Sequence, residues 1–304
     1  MAKTLTIRID TDTYRRPSPQ EVDEAKRYIL NRSEVAEHAW FMAYDLIMKA
    51  VMRLIRISYK YNIPPEKFSF DRMTNPRMMD EVDRVMNRLE EDLYDLLEDE
   101  ALSCAKNEDN RMYLLASLVT LGHRNMNLRE TLQAYEWRVL RQTEALVAAA
   151  RYEDMDEKQT EHMAKLYMAR MDQNPLMKKM SRYRMLFIAP FLRTGGRVTY
   201  PNGAPNVQGV PTDGVNALKA VFFNAISQTW MQNQKLEMSQ DGCAGYYQLR
   251  GSDIPCTPCD DEVGFHEGLN PMEEPMVHPN CMCYRVPVYY NGTEGEQITI
   301  DNLL

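Results

Sequence analysis

The chain has 304 residues, 44% of them hydrophobic and 26% charged, a composition that predicts a globular protein and argues against wholesale disorder. A net charge of −8 excludes indiscriminate nucleic-acid binding by the whole surface, because phosphate affinity comes from clustered Lys and Arg. No apolar run reaches the roughly 18 residues of a membrane span and residues 1–10 lack a secretory signal's apolar core, so we expect a cytoplasmic chain without a membrane partner.

The first predicted elements are a short strand and a long helix. Residues 4–10 alternate apolar and polar side chains, as a half-buried strand does, and its expected partner is the β-rich C-terminal end. Ser18 and Glu21 have the spacing of a capping box, and helical apolar spacing continues from there until Pro64. A second capping pattern leaves open a break at residues 31–33.

Signals for helix starts recur further along the chain. Asn75 precedes a proline and an apolar stripe of helical period, and Asn127 with Glu130 has the spacing of another capping box. Residues 156–171 also show helical spacing. Four or more long helices with short connections predict a helical bundle.

Composition suggests three parts. Residues 1–193 form the predicted helical domain, and residues 194–214 are rich in Gly, Pro and Asn, which predicts a loop or hinge. Residues 215–304 begin with one more amphipathic helix and continue into a cysteine-rich module.

The cysteine-rich module has the spacing of a metal site. A C-x2-C knuckle is followed, after eighteen residues, by the sequence HPNCMC. Two clustered half-sites of this kind predict one tetrahedral zinc ion, and a reducing compartment favours metal over disulfides. The candidate ligands, which compete for four places, are Cys256, Cys259, His278, Cys281 and Cys283.

The spacing does not choose among these five, and Cys243 and His266 are further substitutes. A closed, thiolate-rich zinc site fixes a fold, whereas hydrolytic zinc sites keep an open position and favour His and carboxylate ligands. HExxH, P-loop and G-x-S-x-G motifs are absent from the sequence. A structural zinc and no enzymatic activity are therefore the predictions.

One segment of the acidic chain is locally basic. Residues 173–212 contain no Asp or Glu. Phosphate contacts to DNA are one interpretation, and a solvated helix face that offsets acidic neighbours is the other. The candidate DNA-binding residues are Lys178, Lys179, Arg182, Arg184, Arg193 and Arg197.

Residues 246–290 resemble the C-terminal motif of tailed-phage head morphogenesis proteins, the minor head proteins of the Mu type. That motif has a C-x2-C knuckle and a terminal H-P-x-C-R-C, to which Cys256, Cys259 and the segment 278–283 correspond, with Met282 in place of the usual Arg. The resemblance implies a virion component without enzymatic activity. Its implied partners are the portal protein and the major capsid protein, and its implied place is the capsid interior or portal vertex.

The predicted fold is thus mainly α, an N-terminal helical bundle with a small C-terminal α+β module stapled by zinc. The predicted function is a minor head protein that acts in the host cytoplasm during capsid assembly and then in the virion. Two alternatives remain. One is a zinc-knuckle protein that binds the packaged DNA through residues 173–212, and the other is a head protein with toxin-like enzymatic activity.

Overall fold

The computed structural model describes residues 10–122, 125–171, 214–251, 256–269 and 281–291. The helices are α1 (Pro19–Lys60), α2 (Pro76–Leu102), α3 (Glu108–Thr120), α4 (Leu128–Tyr152), α5 (Glu157–Met171), α6 (Gly214–Gln240) and α7 (Thr257–Asp261). The strands are β1 (Tyr14–Arg15), β2 (Gly245–Leu249), β3 (Gly264–Glu267) and β4 (Tyr284–Tyr290). The mainly α class with a small C-terminal β region is confirmed. Within these ranges, no helix combines the length and apolar content that a membrane crossing requires.

Two of the helices begin at the capping boxes that the sequence predicts. At α1, the Glu21 amide donates to Ser18 Oγ at 3.3 Å, and the Ser18 amide donates to Glu21 Oε2 at 2.7 Å. At α4, the Glu130 amide donates to Asn127 Oδ1 at 2.9 Å, and the return bond measures 3.0 Å. Each box satisfies amide groups that the first turn of a helix otherwise leaves without partners.

Two helical features differ from the sequence-based expectation. First, α1 runs through residues 31–33 without a break, and Ser33 Oγ donates back to the Ile29 carbonyl at 3.1 Å instead of capping a new helix. Second, the periodicity of the sequence does not predict α3. Its apolar residues do not share one face, since Leu114 and Leu118 are buried whereas Met112 and Val119 are exposed.

The chain divides into two compact units, and each is assembled from separate segments. Residues 1–37, 99–118 and 223–304 belong to the first unit, and residues 38–98 and 119–222 to the second. Of the hinge predicted at 194–214, only Gly214, where α6 begins, lies among the described residues.

In the first unit, the four strands form an antiparallel sheet in the order β1–β4–β2–β3. Tyr247 of β2 is opposite Val286 of β4, and Tyr14 of β1 is opposite Tyr290. A segment near the N-terminus thus pairs with β4. The strand predicted at 4–10 lies outside the described residues except for its last residue.

The start of α1 packs on this sheet. Ala25 and Ile29 are buried with the strand residues Tyr247, Val286 and Val288 in one hydrophobic cluster. Removal of these side chains from water stabilises the fold by about 25 cal/mol for each Å² of apolar surface that is buried. The first turns of α1 and the C-terminal strands therefore share a core.

The second half of α6 supplies polar contacts to the first unit. Asn233 Nδ2 donates to the Cys104 carbonyl at 3.2 Å, and Gln234 Nε2 donates to the Arg285 carbonyl of β4 at 3.1 Å. Buried amides need such partners, since an unmade hydrogen bond in the interior costs about 1–3 kcal/mol. These bonds fix how α6 lies against β4.

In the second unit, the side chain of Arg151, in the last turn of α4, caps the C-terminal end of α1. Its guanidinium donates to the carbonyls of Ser58 and Ile63 and lies over the ring of Tyr59, 4.7 Å from the ring centroid. The last carbonyls of a helix have no partners within the helix. Arg151 supplies one for α1.

The same unit buries a carboxyl group in α4. Glu136 is only 3% exposed, and its Oε1 has no hydrogen-bond partner within the described ranges. Burial raises the pKa of Glu136 to about 8, and the negative charge of Glu90 adds to this, whereas Arg129 opposes it. The folded protein therefore holds this group protonated at neutral pH.

We expect Glu136→Gln to flatten the pH dependence of stability. Because the pKa of this carboxyl is raised in the folded chain, its contribution is complete below about pH 4.5 and is lost as the pH rises toward 8. Between pH 4.5 and 7, the free energy of unfolding of the variant should rise relative to that of the parent chain by on the order of 3 kcal/mol. Urea unfolding at several pH values measures the difference, and Glu91→Gln, at an exposed position on α2, is the control. Parallel curves for parent and Glu136→Gln would contradict the prediction.

Candidate metal centre

The C-x2-C knuckle lies where α7 begins. Cys256 precedes the helix, Cys259 is in its first turn, and the Asp260 amide donates to the Cys256 carbonyl at 2.9 Å. Cys259 is buried and Cys256 is partly buried against it. An ion pair between Arg250 and Asp260 ties α7 to the end of β2. This ion pair therefore adds an electrostatic contact between the knuckle and the sheet.

The second half-site immediately precedes β4. Side chains two residues apart in an extended segment share a face. In agreement with this, Cys281 and Cys283 are both buried in the cysteine cluster, whereas Met282 packs against the hydrophobic cluster of the sheet. A Cβ on Gly251 would lie 1.7 Å from the Met282 carbonyl oxygen, so only glycine allows the chain after β2 to approach this turn.

The two half-sites meet. The Sγ atoms of Cys259 and Cys281 are 3.7 Å apart, and the three sulfurs of Cys259, Cys281 and Cys283 all lie within 4.8 Å of one another. A disulfide requires about 2.05 Å, and all of these cysteines are free thiols. Sulfurs bound tetrahedrally to zinc at about 2.3 Å lie about 3.8 Å apart. These three buried cysteines could hold a metal ion.

Cys256 is the nearest candidate for a fourth ligand. Its thiol hydrogen-bonds with that of Cys259, and it packs against the same cluster. Together the four cysteines provide sulfur from one helical turn and from one extended turn, as in closed structural sites.

Without a metal, the thiols of Cys259 and Cys283 hold their protons. Burial raises the pKa of Cys259 to about 12. A hydrogen bond with Cys281, followed by burial, raises the pKa of Cys283 strongly. Thiolates are the metal-binding form, so a metal that binds here must displace protons.

The surroundings of the cluster include residues that the cysteine spacing does not indicate. Met231 of α6 is fully buried against the sulfurs. Arg32 of α1 is 1% exposed, and its Nη2 donates to the Cys281 carbonyl at 2.6 Å. The sequence does carry a signal for Arg32, because it occupies the same buried helical stripe as Ala25, Ile29, Ala36 and Ala39.

The remaining predicted site residues have different outcomes. His278 and the basic residues Lys178, Lys179, Arg182, Arg184, Arg193 and Arg197 lie outside the described residues. His266 stacks on Tyr246 with 4.9 Å between ring centroids, and its Nε2 is 2.8 Å from the Glu262 carbonyl oxygen. Neither His266 nor Cys243 belongs to the close ligand group found among the described residues.

No protein-family model matches the sequence, and no curated protein or solved structure shows significant similarity to the chain.

We expect Cys283→Ser to weaken metal binding by more than about 100-fold, because changing even an outer-shell partner of a metal ligand typically costs 10-fold to 100-fold in affinity. Titration against a chelating dye measures the change. Cys243→Ser removes a thiol outside the cluster and should leave affinity within about twofold. Loss of binding in His278→Ala but not in Cys283→Ser would instead assign the place of Cys283 to the histidine.

Proposed function

We propose that the chain is a structural protein of phage head assembly whose C-terminal module is held together by one structural zinc ion. The observation that carries the metal centre is the convergence of Cys259, Cys281 and Cys283 in a buried cluster beside Cys256. We assign these four cysteines as the ligands. Three converging sulfur donors with a fourth beside them favour zinc or iron, and an ion that only holds a fold needs no redox chemistry.

Burial supports a structural role over a catalytic one. Cys281 is fully buried, and Cys259 and Cys283 are nearly so. A catalytic zinc keeps an open position that substrate or water can reach, and a nucleophilic cysteine needs a lowered pKa. The raised pKa of Cys259 is the opposite of what a nucleophile requires.

The phage assignment comes from the sequence motif. The segment that resembles Mu-type minor head proteins contains all four proposed ligands. By this resemblance, the portal protein and the major capsid protein are the proposed partners, and the capsid interior or portal vertex is the proposed place. The metal centre would give the module a fixed shape with which to contact them.

Elemental analysis and partner binding test the two parts of this proposal separately. We expect purified protein to contain about one zinc per chain, and a chelator to lower its melting temperature. Zinc at 100 times its dissociation constant should stabilise the folded chain by about 2.7 kcal/mol. Protein that contains iron would contradict the zinc assignment, and unchanged melting after metal removal would contradict the structural role.

For the assembly role, we expect the metal-loaded chain to form a complex with the portal protein encoded in the same genome, measured by size-exclusion chromatography. Cys259→Ser should lose this complex, and Cys104→Ser, at a cysteine outside the cluster, should keep it. A complex with DNA that is abolished by neutralising Lys178, Lys179, Arg182 and Arg184, without any complex with portal or capsid protein, would favour the DNA-binding alternative.

A further inference from the structure

Among the described residues, a buried arginine lies beside the cysteine cluster without an acidic partner. Arg32 is one of the largest fully buried side chains of the described chain, and within those ranges its Nε and Nη1 have no hydrogen-bond partner. Its only polar contacts there are the Cys281 carbonyl at 2.6 Å and Met282 Sδ at 3.7 Å. A buried charge of this kind is costly unless an opposite charge compensates it.

Among the described residues, the cysteines of the cluster are the groups beside Arg32 that can provide negative charge. The carbonyl that Arg32 contacts belongs to Cys281, whose sulfur lies in one buried group with those of Cys259 and Cys283. Neutral thiols provide little electrostatic compensation for the positive charge of the guanidinium. Four thiolates around a divalent cation carry a net charge of about −2. The metal-bound cluster therefore provides the negative charge that would compensate the buried guanidinium of Arg32.

We propose that Arg32 is a positioning residue of the metal centre, a buried cation that stabilises the negatively charged, metal-bound cluster and couples metal binding to the docking of α1. The inference rests on the proposed metal centre and adds its electrostatic partner. Metal binding then acts on more than the knuckle and the turn before β4. It also makes burial of Arg32 favourable, and with it the contact between α1 and the C-terminal module.

The experiment compares metal affinity and stability in Arg32→Met and in Arg27→Met. Met has a long apolar side chain that can fill much of the space of the arginine stem. Arg27 is exposed on the same helix, so its replacement removes the same charge away from the cluster. Zinc affinity is measured against a chelating dye, and urea unfolding is measured with and without zinc.

We expect Arg32→Met to bind zinc 10-fold to 100-fold more weakly, the range typical for partners of metal ligands, and Arg27→Met to stay within twofold of the parent. The metal-free form of Arg32→Met should be as stable as the parent or more so, because a buried charge is removed. An unchanged zinc affinity would overturn the inference. Equal destabilisation of the zinc-loaded and zinc-free forms would also overturn it, because that result describes packing alone.

Arg32→Lys keeps the inference testable if Arg32→Met does not fold. Lys retains the charge but not the fork of guanidinium donors. Zinc affinity within about threefold of the parent supports the charge role, and a tenfold loss at unchanged metal-free stability contradicts it. A parent protein that binds no zinc refutes the metal centre itself, which distinguishes that failure from failure of the role of Arg32.

Discussion

The positive charge of Arg32, buried beside three cysteine sulfurs, is the constraint on which this part of the first unit depends. Arg32 has almost no exposed surface, and neither do Cys259, Cys281 and Cys283. A protein interior tolerates such a charge only if opposite charge or hydrogen bonds replace water. The hydrogen bond to the Cys281 carbonyl does this in part, and thiolates held by a cation would do the rest. By this argument, the proposed metal-bound form is electrostatically more favourable than the metal-free cluster.

The proposed metal centre would also explain how distant segments hold together with little apolar surface. The cluster around the sulfurs contains Met231 as its only buried residue other than cysteines in the described chain. The sheet has its own core, but α7 and the turn before β4 contribute mostly sulfur. Structural zinc supplies on the order of 10 kcal/mol of apparent binding free energy in small metal-dependent domains, which far exceeds what burying one Met side chain provides.

Local signals in the sequence predict local structure well here. The capping boxes of Ser18 with Glu21 and Asn127 with Glu130 identify the starts of α1 and α4 because the hydrogen bonds join residues three apart. The pairing of Tyr14 with Tyr290 has no such signal, since a two-residue strand shows no periodicity and its partner is at the other end of the chain. The cysteine spacing predicts a metal site, but not that Cys283 lies within the buried group.

For Arg32, the helical periodicity of the sequence is more informative than motif matching. It continues the buried stripe of α1 between Ile29 and Ala36, where an apolar residue is the norm. A charged residue in such a stripe indicates a buried partner of opposite charge. Arg285 is also buried and lies near enough to Arg32 for the repulsion between them to lower the pKa of Arg32. The first unit of an acidic chain thus buries two arginines whose charges repel each other. In the proposed metal centre, negative charge on sulfurs that bind a cation would help to balance them.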